Sequence, residues 1–333
     1  VSPEAFGDED DNERFERPRR NTRPRTKDRP TYPDALSGFV VTVDRGRLTV
    51  RMSDEVNPRT VFAVKARHLG RKGVVVGDRV RLVGDSSGDE GSLARIVEVR
   101  DRTTVLRRSA DDDDPVERII VANATQLVIV TSIADPPPRT RLIDRCLVAA
   151  YDARMRPLLC LTKSDLGDPE ELLSVYRALG VSSVVTRRGD DLSPVVERLR
   201  GEVSVLVGHS GVGKSTLVNA LVPGATRSTG IVNAVTGRGR HTSTSAYALE
   251  LPFGGWVVDT PGIRSFGLAH VNPRELIGAF EDLDLITEDC PRGCTHAASE
   301  PECALDGAVA EGRVDPERVA SFRRLLASRE GGD

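Results

Sequence analysis

Short apolar-rich runs separated by polar segments recur over residues 36–108: GFVVTV, RLTVRM, TVFAVKA, DRVRLV and ARIVEV. These runs are rich in Val, Ile, Thr and Phe and are separated by the turn segments DRG, GRKG, VGD and GDSSGDEG, which predicts five strands. Five short strands in so brief a stretch predict a small barrel of the OB type, and an SH3-like barrel would read similarly. From residue 118 the period changes. RIIVANATQLVIVTSI (118–133) is nearly continuous in apolar residues and reads as a buried strand. TRLIDRCLVAAYDAR (140–154), PEELLSVYRALG (169–180) and LSPVVERLR have helical spacing, whereas RPLLCLT (156–162), VSSVV and EVSVLVG (202–208) are strand-like. Strands alternating with helices predict a parallel sheet covered on both faces. YALELP and GWVVDT extend that sheet, and the pattern after residue 272 is helical. Residues 224–245, rich in Gly, Thr, Arg and Ser, have little periodicity and predict a mobile loop.

Composition adds limits. The 333 residues are 38% hydrophobic and 29% charged, enough for several packed domains. No run of apolar residues is long enough for a transmembrane helix, and VSPEAFGDEDDNERFE lacks the basic start and apolar core of a secretory signal. A cytoplasmic protein is therefore expected, with no membrane partner. Residues 1–30 carry eight acidic and eight basic side chains with scattered Pro, which predicts a disordered tail. The expected division is a tail over 1–35, an OB barrel over 36–110, an α/β domain over 111–268 and a small, mainly helical C-terminal domain over 269–333. The net charge of −3 names no partner, but residues 36–108 hold 15 Lys/Arg against 9 Asp/Glu, as suits a barrel facing nucleic acid.

The α/β segment carries a phosphate cradle. Gly208-His209-Ser210-Gly211-Val212-Gly213-Lys214-Ser215 fits G-x-x-x-x-G-K-[ST], between a strand and the helical run KSTLVNALV. Its glycines allow backbone N–H groups to turn inward around phosphate oxygens at a helix N-terminus. Lys214 is placed to reach the β- and γ-phosphates, Ser215 to ligate Mg²⁺ and Thr216 to touch the α-phosphate. Asp259-Thr260-Pro261-Gly262 follows 51 residues beyond Gly208, at the end of a strand. Asp259 is the candidate Mg²⁺ carboxylate and Gly262 the candidate γ-phosphate sensor.

Base choice is written in Thr162-Lys163-Ser164-Asp165, an [NT]-K-x-D motif. A carboxylate at Asp165 accepts from guanine N1–H and the 2-amino group, and adenine offers neither donor. Lys163 is one of only five lysines in the chain, and its stem is suited to lie over the base plane. The last nucleotide contact is expected near VVTRR, where Thr186 offers its backbone. No second [NT]-K-x-D follows Gly262. The base motif thus precedes the P-loop and the D-T-P-G switch, so the domain reads as a circularly permuted P-loop GTPase.

The other cysteines point to a metal. Cys290, Cys294, His296 and Cys303 form C-x3-C-x-H-x6-C, three thiolates and an imidazole for one structural Zn²⁺ with no coordination position left for water. Cys146 and Cys160 lie in apolar runs and read as inert core thiols.

The barrel, the permuted motifs and the Cys-Cys-His-Cys cluster together resemble the ribosome-small-subunit-dependent GTPase A family. The resemblance spans roughly 36–325 and rests on VGDRV (76–80), TKSD, GHSGVGKST, GRGRHTST (237–244), DTPGIRSF (259–266) and the cluster. It implies a GTPase that binds the small ribosomal subunit and its rRNA late in maturation. GTP with Mg²⁺ and one structural Zn²⁺ are the implied cofactors, and ribosome-stimulated hydrolysis to GDP times release. A monomer is expected. The usual water-orienting Gln after D-x-x-G is replaced by Ile263. His241 is the candidate catalytic group in its place, or alternatively an rRNA phosphate contact beside Arg238 and Arg240. Thr242 or Thr244 is the candidate switch hydroxyl for Mg²⁺. Two other classes compete: a P-loop ATPase or kinase, against which TKSD argues, and an RNA-binding module whose nucleotide only stabilises the fold.

Overall fold

The computed structural model describes residues 32–44, 46–54, 56–70, 73–109, 117–223, 246–260, 268 and 271–329. The expectations for the N-terminal tail, the 224–245 loop and residues 261–267 fall outside the described residues. All elements below belong to the unit Asp34–Asp333.

The five N-terminal strands are β1 (Leu36–Asp44), β2 (Arg47–Met52), β3 (Thr60–Lys65), β4 (Arg79–Gly84) and β5 (Ala94–Val99). They pair in the order β1-β2-β3-β5-β4 and close through β4 back onto β1; only β3–β5 is parallel. That is the OB-type closure that the five short runs predicted. Inward positions such as Val40, Val50, Val61, Val80, Leu82 and Ile96 fill the barrel.

The apolar run 118–133 is not one strand. It divides into β7 (Glu117–Ala122), which pairs antiparallel with β6 (Val105–Ser109), and β8 (Gln126–Ser132) in the main sheet. Asn123 makes the break with a left-handed φ of 55°. Its buried side chain donates to the Gly77 carbonyl at 2.9 Å and accepts from the Thr103 N–H at 2.9 Å. Those bonds reward a conformation that costs other residues more. Gly77 must be glycine here, because a Cβ would lie 1.9 Å from the Ala122 carbonyl oxygen. Beside it, Asp78 is fully buried and takes a two-pronged bond from Arg102 at 2.7 and 2.8 Å. The VGD turn therefore joins the barrel to the next domain.

The main sheet continues with α1 (Thr140–Asp152), β9 (Arg156–Thr162), α2 (Glu170–Arg177), β10 (Ser182–Val185), α3 (Ser193–Leu199), β11 (Val203–Val207), α4 (Lys214–Leu221), β12 (Tyr247–Glu250) and β13 (Trp256–Asp259). Its order is β10-β9-β8-β11-β13-β12, parallel except for β12. Every residue of β8 is buried. Strand side chains alternate between faces. Leu127 and Ile129 pack with Ile143 and Leu147 of α1, and Val128 and Val130 with Val195, Leu217 and Val218 of α3 and α4. The sheet does not stop at β12, because β1 pairs with it at Thr42↔Tyr247, supported by stacking of Phe39 on Trp256 at 4.7 Å.

Beyond the sheet lie α5 (Pro273–Ile277), α6 (Glu281–Thr287), α7 (Ala304–Ala310) and α8 (Pro316–Arg329). Phe280 packs edge-on against Tyr151 of α1 and Phe322 of α8, at 5.0 and 5.5 Å. Among the described residues, no helix is long and apolar enough to cross a membrane.

Candidate functional site

The segments that follow β9 and β11 meet the end of β13 on the C-terminal side of the sheet. The P-loop leaves β11 at Gly208, whose φ of 148° and position only 2.1 Å from the Val130 carbonyl oxygen (measured from a built Cβ) admit no side chain. Gly211 and Gly213 also have positive φ, 85° and 96°, and Gly213 caps α4. The loop turns into a helix start, the kind of place where backbone N–H groups bind an anion, with Ser215 and Thr216 exposed on the first turn. Lys214 folds over the loop and donates to the carbonyls of Gly208 and His209 at 2.5 and 3.1 Å. Burial lowers its pKa, and the charge of Asp259 opposes that shift. The Nδ1 of His209 lies 2.8 Å from the Ser210 carbonyl oxygen, and Val212 is buried under the loop.

The base motif comes from β9. The buried Thr162 hydroxyl donates to the Val212 carbonyl at 2.6 Å, which ties the motif to the P-loop. Lys163 has φ 56° and donates through Nζ to the Asp135 carbonyl; Ser164 and Asp165 follow in a short 3-10 turn, with Asp165 exposed. The Ser164 N–H reaches the Thr186 carbonyl at 3.4 Å, and the Thr186 N–H itself bonds the Leu161 carbonyl at 2.8 Å. Thr186 thus lies beside the motif, but its own N–H is held by the sheet. Arg187 comes next. Its pKa is raised, first by hydrogen bonding to Asp190 and last by the charge of Asp165.

Asp259 ends β13, level with Leu206 of β11. Its Oδ2 accepts from the Tyr247 hydroxyl at 2.9 Å, and the Thr260 hydroxyl donates to the Leu206 carbonyl at 3.2 Å. Burial, and then the Asp259 charge, raises the Tyr247 pKa, so the phenol keeps its proton to donate. Tyr247 was not singled out in the sequence; only the antiparallel register Tyr247↔Asp259 reveals it. An aspartate at the strand end and the exposed Ser215 hydroxyl are the hard-oxygen donors that Mg²⁺ takes. Gly262, Ile263, His241, Thr242 and Thr244 lie outside the described residues.

The sulfur cluster sits between α6 and α7. Nδ1 of His296 lies 3.6, 3.4 and 3.9 Å from the sulfurs of Cys290, Cys294 and Cys303, and all four donor atoms fall within 4.8 Å of one another. With Zn–S of about 2.3 Å and Zn–N of about 2.0 Å, the edges of a tetrahedral site come to roughly 3.5–3.8 Å. The donors fit one structural zinc. Burial pushes the Cys294 thiol up to about 11, so a divalent cation is what would hold it as thiolate. The Ala304 N–H donates to the Cys290 sulfur at 3.3 Å, and Arg323, paired with Asp306, donates to the His296 carbonyl at 3.1 Å. Cys146 and Cys160 are buried elsewhere and pushed up to about 12.

A family model described as RsgA GTPase matches residues 99–269, half of the chain. The chain belongs to the RsgA GTPase family. A small ribosomal subunit biogenesis GTPase RsgA of Chlorobaculum parvum is 38% identical over 307 residues, 89% of this chain and 98% of that protein. The protein of the same name from Ectopseudomonas mendocina is 46% identical over 216 residues, 62% of each chain. Among solved structures, YjeQ from Thermotoga maritima aligns at a TM-score of 0.65 and 27% identity, over 90% of this chain and 100% of that one. YloQ, a circularly permuted GTPase, aligns at 0.66 and 24% identity, over 90% and 98%, a likeness of fold. Membership of this family makes the chain a GTPase, with Mg²⁺ as a cofactor of the family.

Proposed function

We propose that this protein hydrolyses GTP to GDP and phosphate on the small ribosomal subunit late in its maturation, and that hydrolysis times its release. The convergence of the P-loop, Thr162–Asp165 and Asp259 at the C-terminal ends of neighbouring strands, despite their permuted order, carries the GTPase reading. The names of the relatives, together with a basic OB barrel, support the subunit and its rRNA as partners and the cytoplasm as the place. The working parts are then a barrel over 36–110, a GTPase domain over 111–268 and a zinc-bearing domain over 269–333, acting as one chain.

Asp165 reads guanine, and the backbone of 208–213 with Lys214 holds the β- and γ-phosphates. Ser215 and Asp259 hold Mg²⁺, which supplies charge for the leaving and transferring oxygens when bound. Thr242 or Thr244 adds a switch hydroxyl, and Gly262 senses the γ-phosphate. Ile263 cannot orient water, so free protein turns over slowly and the ribosome completes the site, with His241 supplying the missing group. The test is GTP turnover with and without small subunits. Acceleration by orders of magnitude, lost in His241→Ala while subunit binding persists, supports the reading. Equal rates with and without subunits refute ribosome stimulation.

A further inference from the structure

We propose that Tyr247 is a positioning residue for magnesium: its hydroxyl fixes the Asp259 carboxylate so that the second oxygen faces the ion or an ion-bound water. The inference rests on the GTPase reading above. Tyr247 and Asp259 are direct partners across the antiparallel β12–β13 pair, so their side chains share one face. The hydroxyl donates to Oδ2 at 2.9 Å, which leaves Oδ1 for the metal side.

Both ends of this contact are braced. The Tyr247 backbone is held by β13 on one side and by Thr42 of the barrel strand β1 on the other. Arg51 of the barrel bonds Glu250 of the same strand at 2.9 Å. On the Asp259 side, the Thr260 hydroxyl anchors the next residue to β11 at 3.2 Å. What remains free is the torsion of the Asp259 carboxylate, and the phenol fixes it. The competing attraction is close by, because Lys214 feels the Asp259 charge. A carboxylate free to turn would be drawn to that ammonium, which the β- and γ-phosphates need.

The experiment measures release of a fluorescent GDP from the full chain as a function of Mg²⁺. In Tyr247→Phe, the Mg²⁺ concentration that half-slows release should rise about tenfold, the effect of one hydrogen bond to a charged group. Release without Mg²⁺ should stay unchanged. In an Asp259→Asn background, Tyr247→Phe should add nothing. Emission of Trp256, the single tryptophan, reports whether the seam with Phe39 survives each substitution. An unchanged Mg²⁺ midpoint in Tyr247→Phe, or an equal shift without the Asp259 carboxylate, would overturn the inference. A wild-type protein that binds no guanine nucleotide would instead remove the reading beneath it.

Discussion

The Thr162 hydroxyl donates to the carbonyl of Val212 at 2.6 Å, a bond between the base-reading motif and the P-loop across 50 positions of sequence. The same oxygen lies 3.2 Å from the Thr131 carbonyl, and Gly213 passes within 3.7 Å of it, measured from a built Cβ. The contact belongs to the packing at the C-terminal ends of the strands and not to the order of the chain, which is why permutation leaves it intact. Thr162→Val keeps the shape but orphans a buried carbonyl, at a cost of about 1–3 kcal/mol. GTP affinity should fall about tenfold by equilibrium titration, and Thr162→Ser should restore most of it. A Val variant with native affinity would show that the bond does not order the P-loop.

Asp165 is exposed at the mouth of the site, where a base can reach it. Asp165→Asn replaces an acceptor-only group with one that also donates. GTP binding should weaken by tenfold or more, since hydrogen bonds to a charged group are worth about 1.5–3 kcal/mol. Xanthosine triphosphate, whose 2-oxo group needs a donor, should become the better ligand. Competition titrations with both nucleotides decide it, and retained GTP preference would count against the guanine role.

How much of this was legible in the sequence depends on the kind of signal. The five barrel strands were visible because they are short β-rich runs and most of their turns carry glycine. The P-loop and TKSD were visible because phosphate and guanine chemistry demand particular residues at fixed spacing. The break at Asn123 was hidden, because the polar Asn123, Thr125 and Gln126 interrupt the apolar run only briefly and a left-handed conformation leaves no mark on periodicity. Its cause is a pair of tertiary bonds to Gly77 and Thr103. The Tyr247–Asp259 bond was hidden for a related reason, since it depends on register across a hairpin. Packing of α8 on α1 joins residues about 180 positions apart, such as Asp144 and Arg324, and no local pattern encodes it.

The zinc ligands lead to a separable prediction. Metal analysis should give about one Zn per chain. Cys294→Ser should lose the metal and lower the unfolding temperature, because the cluster holds the segment between α6 and α7. GTP binding should persist, since none of the described bonds at the nucleotide loops involves the cluster. Full zinc occupancy in a Cys290/Cys294 double variant would refute the ligand set.

The α1–α8 contact carries a pH dependence whose sign can be worked out. The Asp144 side chain is 4% exposed, and its Oδ2 accepts from Arg324 Nε at 3.1 Å. Asp144 Oδ1 and Arg324 Nη2 are buried without a hydrogen-bond partner among the described residues. Burial raises the Asp144 pKa, and the opposing pull of Arg324 does not cancel it. The folded state therefore binds this proton more tightly than the unfolded chain. The contribution of Asp144 is most favourable below the ordinary carboxylate value and declines as pH rises toward the raised value. Urea unfolding over that window should show the wild type losing stability relative to Asp144→Asn as pH increases. Removing the cation is the harsher change. Arg324→Met strands a buried carboxylate and should cost about 3–5 kcal/mol at neutral pH. Adding Asp144→Asn should recover most of that loss. If the single and double variants unfold alike, the two side chains do not act as a pair, and the hold of α8 rests on Phe322 with its apolar neighbours and on the bonds of Arg318 to the Ala178 carbonyl and of Arg145 to the Ser328 carbonyl.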